Sequence, residues 1–81
     1  MHELSLAQGL LDQLGELTEL HGSTTVLVVR VAIGKQAGIV ADSFCFGFDA
    51  LKKEYPFSEK ATLEIQNTDG TELILSQVEM E

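Results

Sequence analysis

Thr24-Thr25-Val26-Leu27-Val28-Val29-Arg30-Val31-Ala32-Ile33 is the stretch whose reading decides the fold of this 81-residue chain. Thr25, Leu27, Val29, Val31 and Ile33 alternate onto one face, and Val26, Val28 and Ala32 keep the other largely apolar, with Arg30 the exception. A strand apolar on both faces is covered on both or lies in an interface, which predicts a central strand. Gly34-Lys35-Gln36-Ala37-Gly38 then breaks the alternation and reads as a loop.

N-terminal to the strand, Leu6, Leu10, Leu14 and Leu17 recur at helical spacing, predicting a helix from Ser5 to Leu20 with Asp12, Gln13, Glu16 and Glu19 facing away. Ser5 and Gln8 form a capping-box pattern that would start it, and Gly22 after His21 would end it in the left-handed region. Gly9 and Gly15 inside this helix each cost ~1 kcal/mol against alanine, so each marks close packing or a tolerated weakness. This start would leave residues 1 to 3 projecting just before the helix.

C-terminal to the strand, Phe44, Phe48, Leu51 and Tyr55 predict a second helix from Asp42 to Glu54, capped by Asp42 or Ser43 and stopped by Pro56. Phe46 and Ala50 form a neighbouring stripe, so this helix should carry the largest share of the core. Ala61 to Gln66 and Glu72 to Met80 read as paired strands around Asn67-Thr68-Asp69-Gly70. A three-residue turn with a bulge sets Ile65 opposite Leu73 and Leu63 opposite Leu75. A two-residue Asp69-Gly70 turn would pair Ile65 with Ile74 and Leu63 with Ser76, a poorer match. The layout is an α+β domain of two layers, with two helices on one face of an antiparallel or mixed sheet of three to four strands.

Five basic residues against thirteen acidic ones give a formal net charge of −8. Phosphate backbones repel such a chain, which argues against nucleic acid, whereas cations and basic protein surfaces attract it. No stretch approaches the ~20 apolar residues needed to span a bilayer, and the start lacks a secretory pattern. With one cysteine, no disulfide framework forms, and a cytoplasmic location without membrane contact is the expectation.

Met1, His2 and Glu3 are the candidate metal site. A free Met1 amine and the His2 amide nitrogen close a five-membered chelate ring, and that amide and the imidazole Nδ1 close a six-membered one. Three nitrogens then lie nearly in a plane, with the Glu3 carboxylate beside them, and such tetragonal surroundings suit Ni(II) or Cu(II). The other candidates read as structural. Cys45 sits among phenylalanines and should be a buried, inert thiol, and His21 should meet the last carbonyls of the first helix. Gly34 and Gly38 lack the spacing of a phosphate-binding loop, and two histidines suggest no catalytic triad, so no enzyme is expected.

Met-His-Glu-Leu-Ser-Leu-Ala-Gln at 1 to 8 resembles the opening of the HypA family of nickel-insertion accessory proteins, which serve NiFe hydrogenase and, in some organisms, urease maturation. Further pieces follow in family order: His21-Gly22, Val31-Ala32-Ile33-Gly34, Gly38-Ile39-Val40, the Phe44, Phe46 and Phe48 series, Ala61-Thr62-Leu63-Glu64-Ile65, and Gly70-Thr71-Glu72-Leu73. The resemblance implies the same two-layer fold and one nickel-binding domain over 1–81. It also implies a nickel-carrying GTPase partner and a hydrogenase large subunit as recipient. Family members also carry two Cys-x-x-Cys pairs that hold zinc. Near 67–70, where that module would sit, this chain reads Gln66-Asn67-Thr68-Asp69-Gly70-Thr71, so Ni(II) without a structural zinc is expected. Some members bring a carboxylate to the nickel from the loop after the central strand; the matching position in this chain is Val40 and the nearest acid is Asp42.

A second reading is a metal-free interaction module that pairs through a sheet edge or the far face of its central strand, as a homodimer or with another protein. Leu73 and Leu75, or Ile74 and Val78, would supply its apolar surface.

Overall fold

The computed structural model describes residues 2–81. Helix α1 spans His2–His21, strand β1 Val26–Gly34, helix α2 Ala41–Leu51, strand β2 Thr62–Thr68 and strand β3 Leu73–Met80. A 3-10 turn over Lys52–Glu54 extends α2 to the end expected from Pro56.

β1 is the central strand, as its composition requires, but its neighbours correct the expected hairpin. The sheet order is β2-β1-β3, with β2 parallel and β3 antiparallel to β1. β2 and β3 therefore do not pair: β1 lies between them. Leu63 and Val78 flank Val29, and Ile65 and Leu75 flank Val31. The apolar residues that a direct hairpin would match thus do share a face, one strand further apart. The most apolar strand gains ladder hydrogen bonds on both edges this way, which a β2–β3 hairpin would leave unmade on one. The parallel β1–β2 pair is made possible by the long return through α2.

The connection from β2 to β3 must cross the end of β1, a span of about 10 Å, and segment 69–72 does so directly over Gly34. Gly34 N–H donates to Glu72 O at 2.8 Å, Lys35 N–H to Thr68 O at 2.9 Å and Gln36 N–H to Gly70 O at 3.0 Å. A Cβ on Gly34 would collide with the backbone carbonyl of Gly70. Glycine is required there by close approach of two backbones.

Two bulges reset the alternation. Val26 faces Met80 while Val28 faces Glu79, leaving Leu27 as the extra residue, so Val26 rather than Leu27 enters the core. On β3 the extra residue is Ser76, whose hydroxyl donates to Arg30 O at 3.0 Å. Past this point the inward side chains are Val78 and Met80 instead of the next residues in phase with Leu73 and Leu75.

Both helices pack on the face carrying Val29, Val31 and Ile33, where Ala7, Leu10, Leu11, Leu14, Phe44 and Phe48 complete the core. The α1 stripe is rotated from the leucine row: Ala7, Leu11 and Thr18 are buried, while Leu6 and Leu17 lie at its margin. Thr18 is tolerated inside because its hydroxyl donates to Gly15 O at 2.7 Å. Ser23 N–H to Thr18 O and Gly22 N–H to Glu19 O, with Gly22 at φ 65°, close the helix as a Schellman motif. On α2, Phe46 and Ala50 are exposed, contrary to the expected core stripe, since no described element packs outside that helix. On the open sheet face, Arg30 bridges Glu64 at 2.8 Å and Glu79 at 3.1 Å, one from each neighbouring strand.

Candidate metal site

α1 begins at His2, earlier than the capping pattern predicts, so Glu3 belongs to the first helical turn and does not project ahead of it. Ser5 is then inside the helix and not at its cap. Gln8, its expected capping partner, instead donates to Asp12 Oδ1 at 3.1 Å and to the Tyr55 hydroxyl at 2.8 Å. Met1, the expected source of the amine donor, lies outside the described residues, and for His2 only the backbone is described.

Glu3 is 8 % exposed, and the backbone N–H of Val40 donates to its Oε2 at 3.3 Å. Val40 is the N-cap residue of α2, with extended φ and ψ of −82° and 107° and no side-chain cap of its own. The expected caps, Asp42 and Ser43, sit within the first turn instead. The loop after β1 thus does come to the first turn of α1, and the residues that meet are Glu3 and Val40. They meet through a carboxylate on one side and a backbone amide on the other. A buried carboxylate needs such donors, because desolvation without them costs several kcal/mol. Sequence reasoning placed Val40 at the matching position through the resemblance; that its amide and not its side chain faces Glu3 has no signal in the residue type.

Among the described residues, no group of three or more His, Cys, Asp and Glu side chains comes together. Cys45 is free and half-buried, and its thiol is pushed up by burial and by the carboxylates of Asp49 and Asp42, which makes it a poor nucleophile. His21 is exposed at the end of α1. No described helix is long and apolar enough to cross a membrane.

The chain matches a family model described as hydrogenase/urease nickel incorporation, metallochaperone, hypA, over residues 1–79. It is 37% identical over 73 residues to the hydrogenase maturation factor HypA of Cereibacter sphaeroides, covering 90% of this chain and 64% of that protein. To the factor of the same name from Alkalilimnicola ehrlichii it is 36% identical over 70 residues, covering 86% of this chain and 61% of that one. The chain therefore spans less than two thirds of the length of these curated relatives. The solution structure of the Ni metallochaperone HypA from Helicobacter pylori superposes with a TM-score of 0.79 at 16% identity, covering 98% of this chain and 86% of that one. At that identity the likeness is one of fold: two helices on a three-stranded mixed sheet.

Proposed function

We propose, from the premise that this chain belongs to the HypA family of nickel-incorporation metallochaperones, that residues 1–81 act as one nickel-binding unit whose cargo Ni(II) is held at the N-terminus. The observation that carries the reading is the family match beginning at residue 1, where Met1-His2-Glu3 offers an amine, an amide and an imidazole in sequence. With Met1 as a free terminus, its amine and the two His2 nitrogens supply the planar donors, and these must be deprotonated to bind. Glu3 is better suited to orienting the turn than to filling a coordination position, because its carboxylate already accepts the Val40 N–H. Copper should bind such nitrogens more tightly than nickel, so selectivity would come from supply and from partners.

The cargo would pass, in the cytoplasm, between a nickel-carrying GTPase and a NiFe hydrogenase large subunit, or a urease, without a catalysed reaction. A donor set confined to Met1 and His2 suits this task, since a competing chelator dismantles it without opening the core. The test is titration of untagged protein with Ni(II) beside His2→Ala. The wild type should develop planar d⁸ absorption bands that the variant lacks, and binding should weaken as pH falls and protons compete for the nitrogens. Equal affinities would remove the nickel role and leave a metal-free interaction module.

A further inference from the structure

The outer side of α2 and the adjoining first turn of α1 carry apolar groups that the fold leaves exposed. Phe46 is 77 % exposed, Val40 57 % and Leu4 45 %. Beside Phe46 and Leu4 lies a groove of about 340 Å³, bounded also by Gly47, Ala50, Ser43 and Asp42. Gly47 keeps the helices close at this point: a Cβ at that position would stand 3.3 Å from Leu4 Cδ1. A projecting aromatic next to an apolar recess is the arrangement that anchors partners, since such a ring contributes large contact area with few rotamers to freeze.

Charge decides between occupants. Asp42 edges the groove and Asp49 stands further along the same helix with a side chain 62 % exposed, while Lys52, which Asp49 approaches at 3.6 Å, is largely covered. A second copy docking through this surface would bring two chains of net charge −8 together, whereas a basic partner is drawn to it. The groove between α1 and β3, about 230 Å³ and lined by Leu6, Leu10, Leu73 and Leu75 among others, has uncharged Ser5 and Gln13 at its rim and offers no comparable selection.

We propose that the surface formed by Leu4, Phe46 and Ala50 docks a basic amphipathic helix of another protein. Apolar side chains at i and i+4 of that helix seat beside Phe46 and Leu4, and its Lys or Arg flanks meet Asp42 and Asp49. The surface requires no metal, so it stands or falls separately from the nickel reading.

The test uses the whole chain, isotopically labelled and free of nickel, titrated with an amphipathic Leu/Lys peptide about 18 residues long and with its Leu/Glu counterpart. The Leu/Lys peptide should bind with amide shifts gathered on Leu4, Phe46, Gly47 and Ala50. Phe46→Ala should weaken it by about tenfold or more, and Asp42→Lys combined with Asp49→Lys should transfer binding to the Leu/Glu peptide. The proposal is overturned by shifts spread over the whole acidic surface with no loss in Phe46→Ala, by shifts gathered between α1 and β3, or by equal binding of both peptides. Concentration-dependent shifts at Phe46 without peptide would also overturn it, giving the surface to a second copy.

Discussion

Phe48 and Phe46 stand two residues apart on α2 and meet opposite surroundings: one is fully buried and the other 77 % exposed. About 100° separates successive residues of a helix, so these positions face nearly opposite ways. Inward, Phe48 meets a layer made from β1 and α1; outward, Phe46 meets no further layer of the described chain. The same division runs along α1. A Cβ on Gly15 would touch the Phe57 ring at 3.3 Å, whereas one on Gly9 would meet nothing within 4 Å. Identical residue types thus carry different weight according to whether a neighbouring element closes over them. The inner surfaces hold the fold, and the outer ones are open to solvent.

The sharpest break of this contrast is a pair of phenylalanine truncations. Phe48→Ala should cost about 3–5 kcal/mol of stability, because the cavity forms among residues that cannot collapse into it. Phe46→Ala should change stability by no more than about 0.5 kcal/mol. Urea unfolding of both variants measures the difference, and similar losses would show that Phe46 is covered in solution. An inner position without any side chain extends the comparison to the sheet. Gly34→Ala must push the 69–72 crossing away from β1 and should cost on the order of 1–3 kcal/mol, with amide exchange accelerated at Gln36, whose N–H bonds to Gly70 O in that segment, and at Lys35, whose N–H bonds to Thr68 O just before it. The smallest effect belongs to the two α1 glycines. Gly9→Ala should stabilise by ~1 kcal/mol through helix propensity alone. Gly15→Ala should gain less, because the Phe57 ring has to shift to admit the methyl group. A larger gain at Gly15 than at Gly9 would reverse the assignment of inner and outer faces on α1.

Much of this architecture is legible in the residues. The β1 run, the two helical periodicities and the turn chemistry before Gly70 place the elements within a few residues of their observed bounds. What they leave open is partnership. Asn67 to Gly70 is good hairpin chemistry, and Leu63 and Ile65 do match Leu73 and Leu75 in polarity. Polarity alone does not say whether two strands touch or flank a third. The bulges at Leu27 and Ser76 are equally silent, since one inserted residue swaps faces without altering composition. At the candidate metal site, the donor types of Met1, His2 and Glu3 follow from covalent adjacency. The engagement of Glu3 with the Val40 amide does not, because those residues are 37 positions apart and the accepted proton belongs to the backbone.

The amino-acid sequence by itself determined the element types, the apolar strand at the centre, the acidic charge and the family, because each rests on local periodicity or on residue identity. Tertiary structure alone decided that β1 separates β2 from β3, that Gly34 must lack a side chain and that Phe46 is left outside. These depend on which surfaces close over one another, and that competition for burial and for backbone hydrogen bonds is settled among elements distant in the chain.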